Sequence, residues 1–163
     1  MSEGAGRMST VTERDEVIHE FGALLGAAAL LERIAGRELE RRCGIRHAVF
    51  EVLLRLSAAA PECPDMGGLA GELILTSGGM TRLVDRMQEA GLVRRRAHEG
   101  DRRRHLVELT DAGRAKLDEA MRVHAETLRE HFAGPLTEDE RRALVTTLHT
   151  LRTTARKELG TLR

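Results

Sequence analysis

A chain of 163 residues with 2% aromatics and no Trp or Tyr must build its core from Leu, Val, Ala and Met, which favours helices over a β-sandwich and fits one domain. Lys and Arg (26) balance Asp and Glu (26), which excludes a uniformly basic coat; basic charge is instead local, with six arginines between Arg94 and His105 against Glu99 and Asp101. Two cysteines, Cys43 and Cys63, give no disulfide framework and point to a reducing cytoplasm, while no apolar run approaches a membrane span and the N-terminus lacks a signal-type apolar segment.

The polar opening MSEGAGRMSTVTERDE predicts a disordered tail over residues 1–12. From Thr12 to Arg42 the pattern is helical: Val17, Phe21, Leu24, Ala28, Leu31 and Ala35 recur at three- and four-residue steps, Ser9 or Thr12 can cap the start, and Gly44 ends the run. A second helix is expected from His47 to Ala60 with Val49, Val52, Leu53 and Leu56 inward, before a loop marked by Pro61 and Pro64. A short helix from Met66 to Leu73 and another from Ser77 to just before Gly91, with Val84 and Met87 inward, make a helix-turn-helix. Leu92–Arg96 and His105–Leu109 read as two strands joined by a loop containing Gly100; Val107 and Leu109 share one face, Leu106 and Glu108 the other. Thr110 caps a helix reaching Phe132, along which Leu117, Met121, His124, Leu128 and Phe132 line up. Gly134-Pro135 breaks the chain, and Thr137 with Glu140 forms a capping box for a last helix striped by Leu144, Leu148, Leu151, Ala155 and Leu159.

These elements define a mainly α fold with a small β-hairpin wing, a winged helix-turn-helix. Residues 13–44 form an N-terminal dimerisation helix, 45–110 a DNA-binding core and 111–163 C-terminal dimerisation helices. The first helix, the helix after the wing and the last helix each carry a narrow apolar seam. A compact winged-helix core cannot cover all three. Either a second copy intertwines with the first as an α-helical homodimer, or the seams close into a bundle within one chain.

The stretch from Leu75 to Thr110 carries the chemistry. A polar-capped helix can enter a DNA major groove, and a basic hairpin beside it can reach the neighbouring minor groove. Ser77 and Thr81 can hydrogen-bond bases or phosphates, and Arg82 can pair with guanine in bidentate fashion. Gly78 and Gly79 either bring backbone N–H groups close to phosphate or permit tight helix packing. Arg86 faces a phosphate or forms a surface pair of the Asp85 type. Arg102 and Arg104 would contact phosphates, and Asp101 would hold an arginine in place. Arg94, Arg95 and Arg96 cannot all reach DNA, because alternation sends neighbours to opposite faces; some must pair with acids or face solvent.

The chain resembles the MarR family of bacterial transcriptional regulators. The resemblance rests on Asp101-Arg102-Arg103 followed by Leu109-Thr110, on Gly91-Leu92-Val93 with Arg95, and on the run Thr76-Ser77-Gly78-Gly79-Met80-Thr81-Arg82-Leu83-Val84-Asp85-Arg86. It spans roughly Phe21 to Leu151. It implies a homodimer on a pseudo-palindromic operator, released by a small ligand, an oxidant or a metal; repression by promoter occlusion needs no extra domain and is favoured over activation. It also implies that Arg103 enters the minor groove, where a narrow groove concentrates negative potential.

For the effector, the resemblance places ligand sites between the dimerisation helices and the DNA-binding core. His19, Cys43, His47, His124 and His131, with Glu20 or Glu51, are zinc candidates, although no tight CxxC or HxxxH pair is present. His124 falls on an apolar seam, where a satisfied core or interface histidine is the ordinary reading. Cys43 lies beside Arg41, Arg42 and Arg46, which favour a thiolate; Cys63 lies near Glu62 and Asp65, which do not. The tryptophan expected of the urate-responsive branch is absent. Gly22, Gly26, Ala27, Ala28 and Ala29 either leave room for a phenolic ligand or let helices pack closely. No cofactor is required, and no phosphate loop or nucleophile elbow supports an enzyme. The rival readings are metal or thiol sensing on the same fold, and non-specific architectural DNA binding.

Overall fold

The computed structural model describes residues 4–59, 77–98 and 101–161. In chain order these form α1 (Gly4–Cys43), α2 (His47–Ala58), α3 (Ser77–Glu89), β1 (Val93–His98), β2 (Asp101–Leu109), α4 (Asp111–Leu128), a π-helical turn (Arg129–Ala133) and α5 (Glu138–Thr161). The expected Met66–Leu73 helix and the loop holding Pro61, Cys63 and Pro64 lie outside the described residues. The chain divides into two compact units, Met1–His124 and Ala125–Arg163.

In the first unit, the C-terminal end of α1 supplies Leu39 and Cys43 to a core completed by α2, α3, the hairpin and α4. Phe50, Val52, Leu53 and Leu56 are the buried residues of α2. Val49, expected inward, is only half-buried and Phe50 takes its place, because α2 is packed over a wider arc than a one-sided stripe provides. Lys116 of α4 donates to the Cys43 carbonyl at 3.1 Å and pairs with Glu119 at 2.6 Å, so one ammonium satisfies a terminal carbonyl of α1 and joins it to α4.

The structure corrects the expected tail: α1 begins at Gly4, so residues 4–12 belong to the helix. No proline interrupts that stretch, and a helix already nucleated downstream propagates one residue at a time. The apolar row of α1 is covered only near its C-terminal end. Ala35 and Leu39 are buried, whereas Val17 and Phe21 are 59% and 60% exposed.

The strands outrun the expected ones. They pair antiparallel, with Val93 opposite Leu109 and Arg95 opposite Val107, and the register shifts between Ala97–His105 and His98–Asp101. Alternation fades where arginines begin, so the sequence signal stops there. An antiparallel ribbon is held by main-chain pairing, which needs no alternating apolar pattern.

In the second unit, Gly134 N–H bonds the Arg129 carbonyl at 2.7 Å and closes the π turn. The capping box at α5 forms as read: Thr137 N–H reaches Glu140 Oε2 at 2.8 Å and Glu140 N–H reaches Thr137 Oγ1 at 3.3 Å. The hydrogen bonds from Thr137 hold the Glu140 carboxyl below the usual carboxylate range.

Candidate nucleic-acid interface

Helix α3 is amphipathic in a way that divides its labour. Met80, Leu83, Val84 and Met87, at helical spacing, are buried. Thr81, Arg82 and Arg86 are exposed on the remaining surface, and Gly79 is half-buried. Three of the residues expected to read DNA therefore share the solvent face of one helix anchored by two methionines, a leucine and a valine. Ser77 and Gly78 begin this helix. Thr76 and the side chain of Ser77 lie outside the described residues, as do the side chains of Asp101, Arg102, Arg103 and Arg104.

The far end of α3 fixes how the wing departs. Gly91 has φ +71°, its N–H bonds the Gln88 carbonyl at 2.9 Å, and the Leu92 N–H bonds the Met87 carbonyl at 2.9 Å. This is a Schellman stop, which requires a left-handed residue at position 91. Two residues later the chain is already in β1, so helix and wing share a rigid joint.

Side chains tighten that joint. Arg95 Nη1 lies 2.6 Å from Asp85 Oδ1, which ties β1 directly to α3. The carboxylate beside Arg86 in sequence thus pairs with Arg95 of the wing. Arg94 Nη2 and Arg96 Nε reach Glu108 at 2.9 and 2.8 Å, so the first three wing arginines all meet acids. The hydroxyl of Thr110 points at the Gly91 and Leu92 carbonyls (2.6 and 3.1 Å) and accepts the Gly113 N–H at 3.0 Å, capping α4. Sequence reading missed Gly113. A Cβ there would overlap the Leu92 carbonyl oxygen, so the first turn of α4 sits on the backbone of the α3–wing joint. Its only sequence signal is a glycine inside a helix with no turn to explain it.

The sensing candidates do not come together. His19 and Cys43 lie on the same helix, about 36 Å apart at 1.5 Å per residue. Among the described residues no three His, Cys, Asp or Glu side chains gather as a metal site. His131 lies in the second unit, 3.8 Å from Glu130. Cys43 is buried, and burial, reinforced by Glu119, raises its thiol pKa against the weaker pull of Lys116, Arg42 and Arg122. This corrects the expectation of a thiolate: desolvation outweighs the adjacent arginines. His47 lies 3.7 Å from Glu32, and its ring is 6.3 Å from that of His124. The His124 ring packs against Phe50 at 4.8 Å, and its Nδ1 is buried with no hydrogen-bond partner among the described residues. Within the single chain Nδ1 of His124 is thus unsatisfied, which departs from a satisfied core histidine and leaves the interface histidine of the same reading untested. Burial lowers its pKa, His47 lowers it further, and Glu51 opposes both. A cavity of about 740 Å³ opens beside His47, between α1 residues such as Arg33 and Arg37 and the Arg46 turn.

A buried-backed helix with Thr and Arg outward, stopped by a left-handed glycine and locked to a basic antiparallel hairpin, defines a winged-helix DNA-binding protein. Comparison with known proteins narrows this class. The model of the MarR family matches residues 44–104. The HTH-type transcriptional regulator PecS of Dickeya dadantii is 26% identical over 133 residues, covering 79% of this chain and 80% of that protein. The structure of Sco3205, a MarR family transcriptional regulator from Streptomyces coelicolor in complex with DNA, superposes with a TM-score of 0.75 at 25% identity, covering 86% of this chain and 91% of that one. A mutant MarR from E. coli complexed with operator DNA gives 0.73 at 27% identity, covering 84% and 96%. In sequence over residues 44–104 and in fold the chain is similar to the MarR family, whose members named above are transcriptional regulators and not enzymes, and it is a DNA-binding transcriptional regulator. Among the described residues, no helix is long and apolar enough to cross a membrane.

Proposed function

We propose that the protein is a repressor that binds a pseudo-palindromic operator as a homodimer and is released by a small effector. The observation that carries this reading is the Asp85–Arg95 lock, which holds the outward Thr81, Arg82 and Arg86 of α3 in fixed relation to the arginine-rich wing. Arg82 reads a base, while Arg86, Thr81, Ser77 and the backbone N–H groups at Thr76, Gly78 and Gly79 meet bases or phosphates. Arg103 enters the minor groove, steadied by Asp101, and Arg102 and Arg104 meet its phosphate walls.

Dimerisation follows from uncovered apolar surface. Val17, Ile18, Phe21, Leu25 and Leu30 of α1 and Val145, Leu151 and Leu159 of α5 are exposed in the single chain. Rows of that size are covered in solution, and a second copy brings a matching row to each helix. Occlusion of a promoter by such a dimer needs no further domain. A small ligand is favoured over oxidation at Cys43, because that thiol is buried and the cavity beside His47 is open.

A protection assay on DNA flanking this protein's own gene tests the reading. A symmetric footprint, relieved by one of phenolic acids, zinc, a chelator or peroxide, is expected. A footprint without a preferred site would instead make the protein an architectural DNA binder.

A further inference from the structure

The outer face of the wing contains a charge arrangement that the DNA-binding reading leaves unused. Arg94 and Arg96 stand on the face of β1 opposite Arg95, and both converge on one carboxylate across the ribbon. Arg94 meets Glu108 Oε2 through Nε and Nη2, each at 2.9 Å, and Arg96 Nε meets Oε1 at 2.8 Å. The Glu108 side chain is only 15% exposed, while that of Arg94 is 69% exposed. The acid is therefore held in place, and Arg94 is bound on one side and open to solvent on the other.

This cluster stands close to where DNA would lie. Arg96, opposite Leu106, stands two to three residues back from the turn, roughly 7–10 Å along a strand, and Arg94, opposite Glu108, two residues farther, roughly 13–17 Å. The nearer guanidinium lies within about one Debye length at 0.1 M salt and the farther one within the Debye length of about 30 Å at 0.01 M. A ribbon tip lodged in a minor groove has a phosphate row on each side, so its outer face meets phosphate as well as its inner one.

We propose that Glu108 sets the sequence-independent affinity of the wing by withholding the outer-face arginines from DNA phosphate. The inference rests on the DNA-binding reading and extends it. Sequence-independent affinity comes from guanidinium and ammonium groups replacing counterions on phosphate. A guanidinium already satisfied by an internal carboxylate gains less from a phosphate, and the carboxylate repels that phosphate. Glu108 thus acts as a resident competitor. It lowers affinity for every duplex alike and leaves discrimination to the base-reading face of α3.

The test measures binding to a random-sequence duplex across a salt series. Glu108→Gln keeps the side-chain shape and removes its charge. Releasing Arg94 in each half of a dimer adds about two phosphate contacts, so the slope of log K against log salt steepens by about 2, and affinity rises about tenfold or more at about 50 mM salt. Arg94→Gln in the parent changes random-duplex affinity little, because that charge is already neutralised; in the Glu108→Gln background it reverses the gain. An unchanged slope and affinity for Glu108→Gln, or weaker binding, overturns the inference. So does strong loss of affinity from Arg94→Gln alone, which needs no result from the Glu108 variant. A parent protein that ignores every duplex at low salt overturns the DNA-binding reading itself.

Discussion

At the scale of single residues, the exposed cations divide by whether an acid already holds them. Arg95 is locked to Asp85, whereas Arg82 stands outward on α3 with no ion pair among the described residues. Arg82→Ala should therefore leave the melting temperature unchanged, weaken binding and relax base preference at one position of each half-site by about 1–3 kcal/mol, read from a panel of substituted operators. Arg103→Ala should weaken operator binding with an unchanged circular dichroism spectrum; equal affinity would remove the wing from the interface. His124 gives a stability prediction. Its folded-state pKa is lowered, chiefly by burial and then by His47, while Glu51 opposes and Glu32 faces His47. Above the unfolded value of about 6.5 both states are neutral at this ring and its full contribution is present. As pH falls below that value the unfolded chain takes up the proton first, so stability declines until the lowered folded value is passed. Thermal melts between pH 7.5 and 5 should show this decline, and His124→Phe should reduce it.

At the scale of elements, the decisive feature is the joint where α3, the wing and α4 meet. Gly91, Thr110 and Gly113 are far apart in role yet share the Leu92 carbonyl region: one turns the chain, one bonds it, one lets a helix sit on it. Gly113→Ala should cost about 1–3 kcal/mol in chemical denaturation, because the added methyl overlaps backbone instead of a movable side chain. The Asp85–Arg95 pair works at the same scale. Arg95→Ala should lower operator affinity more than it lowers stability, since it loosens the angle between reading helix and wing. The exchange of charges in Asp85→Arg with Arg95→Asp should recover part of the loss; no recovery would show that Arg95 contacts DNA itself. Among the described residues, α2 to α5, the caps at Thr110 and Thr137 and the strand cores were legible because caps, glycine stops and apolar periodicity are local signals; the cap expected at Ser9 or Thr12 was not, since α1 runs through both. The extended β2 was not, because its pairing is carried by the main chain, which no side-chain pattern announces. Gly113 was invisible as a contact because its partner is backbone twenty-one residues earlier.

At the scale of the whole molecule, a single chain leaves apolar surface uncovered. The first unit closes its own core with aliphatic residues and Phe50, while α1 and α5 keep apolar rows in water. Sedimentation should give a dimer at micromolar concentration, and Phe21→Glu should shift it toward monomer and abolish operator binding together. If the dimer neutralises roughly six to ten phosphates, operator affinity should fall by about 10³ to 10⁵ between 50 and 200 mM salt. A shallow dependence would mean that the arginines of the wing spend their charge on acids such as Glu108.

The order of the described helices and strands, the stop at Gly91, the caps at Thr110 and Thr137 and the outward Thr81–Arg82 face were set by the sequence alone, since each depends on residues within a few positions of one another. Partnership across distance was settled only in three dimensions. Which acid takes which arginine, whether Cys43 is a thiolate or a buried thiol, and whether the His124 nitrogen finds a donor all depend on burial and on side chains brought from other elements. Charge pairing and desolvation act through space, and a linear string records neighbours along the chain without recording depth.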